Sequence, residues 1–133
     1  MDKTFTNGTH HIGLTVSKLE ESASFFTGLL GWKEVKRKDD YPAIFVSDGN
    51  IMVTLWKNRE SPPTGFDKNK NIGLHHLAFK IDTEASLNEL YQKLLDAKIE
   101  IEFSPELLGT GPAKHMMCYE PSGLRIEFIW PGN

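Results

Sequence analysis

Cysteine is scarce in this sequence, and neither sign of charge is in large excess. Cys118 is the only cysteine in 133 residues, which excludes an internal disulfide and a multi-cysteine zinc site. Fifteen Lys and Arg face eighteen Asp and Glu, a formal net charge of −3. No nucleic-acid partner is expected from that balance. No apolar run approaches the roughly 20 residues that a membrane helix needs, so no membrane span is expected. The opening Met1-Asp2-Lys3-Thr4 lacks the basic-then-apolar pattern of a secretory signal, and a cytoplasmic protein is expected. What is present is 39% apolar, 25% charged and 11% aromatic, a composition that suits one folded domain over residues 1–133.

Period-two patterning opens the chain. Ile12, Leu14 and Val16 share one face of a strand, and His11, Gly13 and Thr15 share the other. Ser17 and Glu20 have the spacing of a capping box, which predicts a helix with Leu19, Ala23, Phe26 and Leu30 inward and Gly31 as its stop. Strands are expected at Lys33–Arg37, Ala43–Val46 and Ile51–Trp56, the last two joined by the turn Ser47-Asp48-Gly49-Asn50. The polar stretch 58–73 reads as a linker. The pattern then repeats. A strand is expected over Leu74–Ile81, a helix capped by Asp82 or Thr83 carries Leu87, Leu90, Leu94 and Leu95, and strands follow at Ile99–Phe103, Met116–Tyr119 and Leu124–Ile129. Residues 104–114, with Pro105, Gly109, Gly111 and Pro112, read as a loop over the mouth of the cleft.

The chain therefore reads as an α+β fold made by internal duplication, with βαβββ modules over 9–57 and 74–131. Neither module could bury a sheet face alone. Together they predict a curved, mostly antiparallel mixed sheet around a cleft. Sheet edges left by that arrangement predict a homodimer.

Three residues stand out chemically. His11 and His76 begin equivalent strands of the two modules. Glu127 sits between Ile126 and Phe128, where a carboxylate is costly unless it is paired or binds metal. Two imidazoles and one carboxylate suffice to hold a divalent ion with positions left open for substrate. A histidine at a strand start and a Glu127–Arg125 surface pair would explain the same residues without metal. A register slip of one residue would exchange the roles of His10 and His11, and of His75 and His76.

The stretches running from His11-Ile-Gly-Leu-Thr-Val through Phe26, Leu29-Leu-Gly-Trp, His76-Leu-Ala-Phe-Lys-Ile-Asp and Glu120-Pro-Ser-Gly-Leu-Arg-Ile-Glu127 resemble the vicinal oxygen chelate superfamily. That group includes glyoxalase I, bleomycin-resistance proteins, extradiol dioxygenases and fosfomycin-resistance enzymes. The resemblance implies paired βαβββ modules and one divalent ion (Fe2+, Mn2+, Ni2+, Co2+ or Zn2+) on His11, His76 and Glu127. It also implies a small substrate that chelates the metal through neighbouring oxygens, in a dioxygenase-like or glyoxalase-like reaction. The alternative is a metal-free antibiotic-binding protein of the bleomycin-resistance type.

Departures from the resemblance narrow this reading. The position matching the fourth glyoxalase I ligand, which also serves as its base, holds Thr54, and a threonine cannot abstract protons near neutral pH. Met117 stands where a tyrosine is expected ten residues before the ligand Glu, and Gly13 where the fosfomycin enzymes have threonine. An acid–base group is then sought in His115, on the same strand face as Met117, or in Tyr119. By the same parity Met52, Thr54 and Trp56, with Phe45 and Met117, are candidates for a substrate wall. Cys118 has the opposite parity and is expected to be buried and inert.

Overall fold

The computed structural model describes residues 2–133. They divide into two units, one ending at Arg59 and one running Glu60–Asn133. In the first unit, β1 (His11–Val16) is followed by α1 (Leu19–Ser24), a π-helical turn (Phe25–Leu29), β2 (Lys33–Lys38), β3 (Ala43–Ser47) and β4 (Met52–Lys57). The second contains β5 (Leu77–Lys80), α2 (Glu84–Asp96), β6 (Glu100–Leu107), β7 (Lys114–Tyr119) and β8 (Arg125–Trp130). Each unit holds one four-stranded sheet, ordered β1-β4-β3-β2 in the first and β5-β8-β7-β6 in the second. In both, the first strand lies parallel to the last and the other pairings are antiparallel.

Alternation decides which face of each sheet is covered. In the first unit Leu14, Val16, Ile44, Val46, Val53 and Leu55 are buried together with Phe25 and Phe26 of the helical segment. In the second, Met116, Cys118, Ile126 and Phe128 are buried with Leu87, Leu90 and Leu94 of α2. The opposite face of each sheet presents the odd-numbered positions of β1, β7 and β8 and the even-numbered positions of β4 and β5.

The helical segment of the first unit departs from the sequence reading. Its N-cap is Lys18 and no side chain caps it, so the Ser17–Glu20 box does not form. Past Ser24 the coil widens, and the Leu30 amide donates to the Phe25 carbonyl. This wider turn rotates both Phe25 and Phe26 inward, their rings edge to face at 5.4 Å, and leaves Leu30 only half-buried. Gly31, at φ +77°, then ends the segment. In the second unit Thr83 caps α2, its hydroxyl accepting from the Ser86 amide at 3.0 Å, while Leu95 lies on the exposed side.

A second departure concerns residues 104–107. They continue β6 rather than starting a loop, with register shifts on either side of Phe103. Pro105 is tolerated because β6 is an edge strand, where a missing amide proton breaks no ladder. The turn 47–50 forms as its residues suggest. Asp48 Oδ1 accepts from the amides of Asn50 and Ile51, and Gly49 takes φ +95°.

Candidate metal centre

β8 carries the carboxylate. Ile126 and Phe128 point into the core, so Glu127 must point to the open face, where Ala78 of β5 and Met117 of β7 flank it in register. Its side chain is only 12% exposed. Each oxygen has one histidine. Oε1 lies 3.3 Å from His76 Nε2, and Oε2 lies 2.5 Å from His115 Nδ1. The His115 ring rests on Phe103, centroids 4.8 Å apart. His76, Glu127 and His115 are thus brought together within the second unit, and Met117 is buried beside them.

The other ring nitrogen of His76 is also engaged, with Nδ1 2.7 Å from His75 Nδ1. A polar group that sequence reasoning missed continues from there. Arg125 Nη1 lies 3.4 Å from the same His75 nitrogen. Its Nε and Nη2 donate to Glu102 Oε1 and Oε2 at 2.8 and 2.7 Å. Arg125 therefore pairs with Glu102 on β6, not with Glu127 beside it. The Tyr119 hydroxyl donates to Glu102 Oε1 at 2.5 Å. Arg125, helped by Tyr119, holds the Glu102 carboxyl down at about 2. The same hydrogen bond pushes the Tyr119 phenol up, so its proton is committed to Glu102. Burial lowers the basicity of His75, reinforced by the positive charges of Arg125, His76 and Lys68. A cavity of about 410 Å³ opens beside this group, with Phe66, Lys68, Tyr119 and Arg125 in its wall. Arg125 shares strand parity with Glu127, and that was the available sign; Glu102 lies on an irregular strand and gave none.

In the first unit His11 sits at the start of β1, its Nδ1 2.9 Å from His10 Nδ1. Gly13 pairs with Thr54, and a Cβ on Gly13 would lie 3.3 Å from Thr54 Oγ1. Thr54 is buried and accepts a hydrogen bond from Trp56 Nε1 at 2.9 Å. The Trp56 ring meets Tyr41 and Phe45 at 5.2 and 5.5 Å between centroids, with Lys38 Nζ 5.4 Å above it. Met52 pairs with His11 on one side and Ser47 on the other. The registers Gly13–Thr54 and Ala78–Glu127 are equivalent, each two residues past the strand-leading histidine. Thr54 therefore occupies the place of Glu127 in the first unit.

Among the described residues, no three His, Cys, Asp or Glu side chains converge as a metal site. The donor chemistry of the second unit nevertheless suits a divalent ion. An imidazole nitrogen and a half-shielded carboxylate oxygen face each other, and each group is held from behind by a further histidine. Cys118 takes no part, since burial pushes its thiol up to about 12.

Two βαβββ modules, each with its first strand parallel to its last, define a glyoxalase-like α+β protein. The chain belongs to the Glyoxalase/Bleomycin resistance protein/Dioxygenase superfamily, whose family description matches residues 8–128. Members of this superfamily commonly use a divalent metal and act on small molecules. The protein YqjC of Bacillus subtilis (strain 168) is 28% identical over 101 residues, covering 71% of this chain and 70% of that one. A glyoxylase/bleomycin resistance protein/dioxygenase domain from Frankia sp. EAN1pec superposes with a TM-score of 0.81 at 22% identity, covering 95% of this chain and 98% of that one. Lactoylglutathione lyase from Agrobacterium tumefaciens does so with a TM-score of 0.74 at 18% identity, covering 96% of each chain. At these identities the structural likeness concerns the fold. Among the described residues, no helix is long and apolar enough to cross a membrane.

Proposed function

We propose that this protein is a metal-dependent enzyme acting on a small substrate that chelates the ion through two neighbouring oxygens. The observation that carries this reading is Glu127. A carboxylate shielded from solvent on an open sheet face, with His76 Nε2 at 3.3 Å, is half of a metal shell. His11, His76 and Glu127 would hold the ion, the first from one module and the others from its counterpart, within one chain or across a homodimer. The ion would supply Lewis-acid activation of the chelated oxygens and, if it is ferrous iron, oxygen chemistry.

The chain's own residues set the rest. His115, held by Glu127 Oε2 through Nδ1, keeps its second nitrogen for proton transfer to or from substrate. Thr54 in the place of a second carboxylate removes the base that the first module would otherwise offer, so the proton work falls to His115. Trp56, Phe45 and Met52 on the open face of the first sheet, and Met117 on that of the second, would receive the substrate's apolar part. This arrangement supports a dioxygenase-like or lyase-type reaction.

Elemental analysis of protein purified without added metal or chelator tests this reading. Near-stoichiometric divalent metal is expected in the wild type, with loss in His76→Ala and Glu127→Gln. A wild type that holds none and binds none on titration overturns it and leaves a metal-free small-molecule binder.

A further inference from the structure

The hydrogen bonds behind His76 have a direction, and that direction comes from Arg125. A guanidinium only donates. Two of the three Arg125 nitrogens are fixed on Glu102 in a bidentate fork, which holds the third, Nη1, at His75 Nδ1. His75 Nδ1 must then accept. Among the described residues the other group on that nitrogen is His76 Nδ1 at 2.7 Å, which must then donate. A neutral imidazole with its proton on Nδ1 carries a lone pair on Nε2. With His76 neutral, that lone pair faces Glu127 Oε1 at 3.3 Å, where two acceptors oppose each other until a proton or a metal cation lies between them.

From this chain of bonds we infer that Glu102, Arg125 and His75 form a relay that sets His76 as a metal-ready tautomer, with Arg125 and His75 as positioning residues. The inference deepens the metal reading and rests on it for its purpose, but the tautomer itself can be observed without metal. The first module supplies the contrast. His10 and His11 make the same nitrogen-to-nitrogen contact at 2.9 Å. Extending the β5–β8 register by one residue puts Arg125 opposite His76, and the matching partner of His11 is Met52. A thioether donates no hydrogen bond, so Met52 does not set the direction of the pair as Arg125 does.

The test is long-range proton–nitrogen correlation NMR on metal-free, nitrogen-labelled protein, with Ni2+ titration followed by calorimetry. In the wild type His76 is expected as the Nδ1-protonated tautomer. Arg125→Met, which copies the first module, should give mixed tautomers and weaken Ni2+ binding by about 10- to 100-fold, the usual effect of losing a partner behind a metal-bound histidine. His75→Ala should do the same. His75→Asn, which returns an acceptor oxygen, should restore both the tautomer and most of the affinity, a rescue that a purely structural role would not show. An Nε2-protonated His76 in the wild type overturns the relay, as does an unchanged tautomer in Arg125→Met. If no Ni2+ binds to the wild type, the metal reading fails while the nitrogen spectrum still decides the relay.

Discussion

The two modules share a scaffold and differ in what they hang on it. Their strand order, parallel closing pair and paired histidines are the same. Register equivalence then matches Met52 with Arg125, Thr54 with Glu127, Ala43 with His115 and Ser47 with Tyr119. Beyond the shared histidines, these four positions are smaller or less polar in the first module, where Trp56, Tyr41 and Phe45 fill the open face instead. Backbone geometry alone therefore does not make a metal centre. The same sheet face serves as an aromatic wall or a charged cluster according to a handful of outward-facing positions.

This contrast can be broken from either side. The largest effects are expected where the modules agree. Leu55 and Phe128 are register equivalents, both fully buried. Leu55→Ala should cost about 2–5 kcal/mol and Phe128→Ala about 3–5 kcal/mol, measured by urea unfolding. Equal loss of metal binding in both would argue that the site depends on global fold rather than on the second module's open face. A smaller effect belongs to the first module's own device. Thr54→Val leaves the Trp56 indole without its acceptor and should cost about 1–3 kcal/mol, with a shift in tryptophan emission as the ring loosens. Metal content should not change, because Thr54 is not a ligand in this reading.

The smallest effect is confined to acid. The Glu102 carboxyl is held at about 2 against an ordinary 4.5, so the native state resists its protonation. Its stabilisation is complete above the unfolded value and fades as pH falls from about 4.5 toward about 2. The melting-temperature gap between wild type and Glu102→Gln should be widest near pH 6 and close through that interval. A gap that stays constant down to about pH 2 would mean that Arg125 does not need the charge of Glu102.

Much of this was legible in sequence, for physical reasons. Strict alternation in β1, β7 and β8 placed His11, His115 and Glu127 on open faces, and the repeat marked His76 as leading β5 as His11 leads β1. The π-helical turn was not legible, because Phe25 and Phe26 are adjacent and no 3.6-residue period buries both. Ser17 and Glu20 have capping-box spacing but do not cap, since the helix starts a residue later than that pattern requires. The continuation of β6 through Pro105 was hidden by reading proline as a strand breaker, which holds for central strands and not at an edge. The relay behind His76 was hidden because Glu102 lies on a strand with broken register, where parity carries no information.

The parallel closing pairs also govern the order in which the protein can be made. β1 finds its partner only after β2 and β3 have been synthesised, and Leu77 must wait for Ile126. Until then β5, with the histidine pair at its head, is an unclosed edge on the nascent chain. The sheet that bears Glu127 cannot take up β5 before β8 is made, because β8 lies between β5 and β7. Chains interrupted before β8 would therefore carry the helix and the antiparallel β6–β7 pair, while the strand leading from His76 would have no ladder to join.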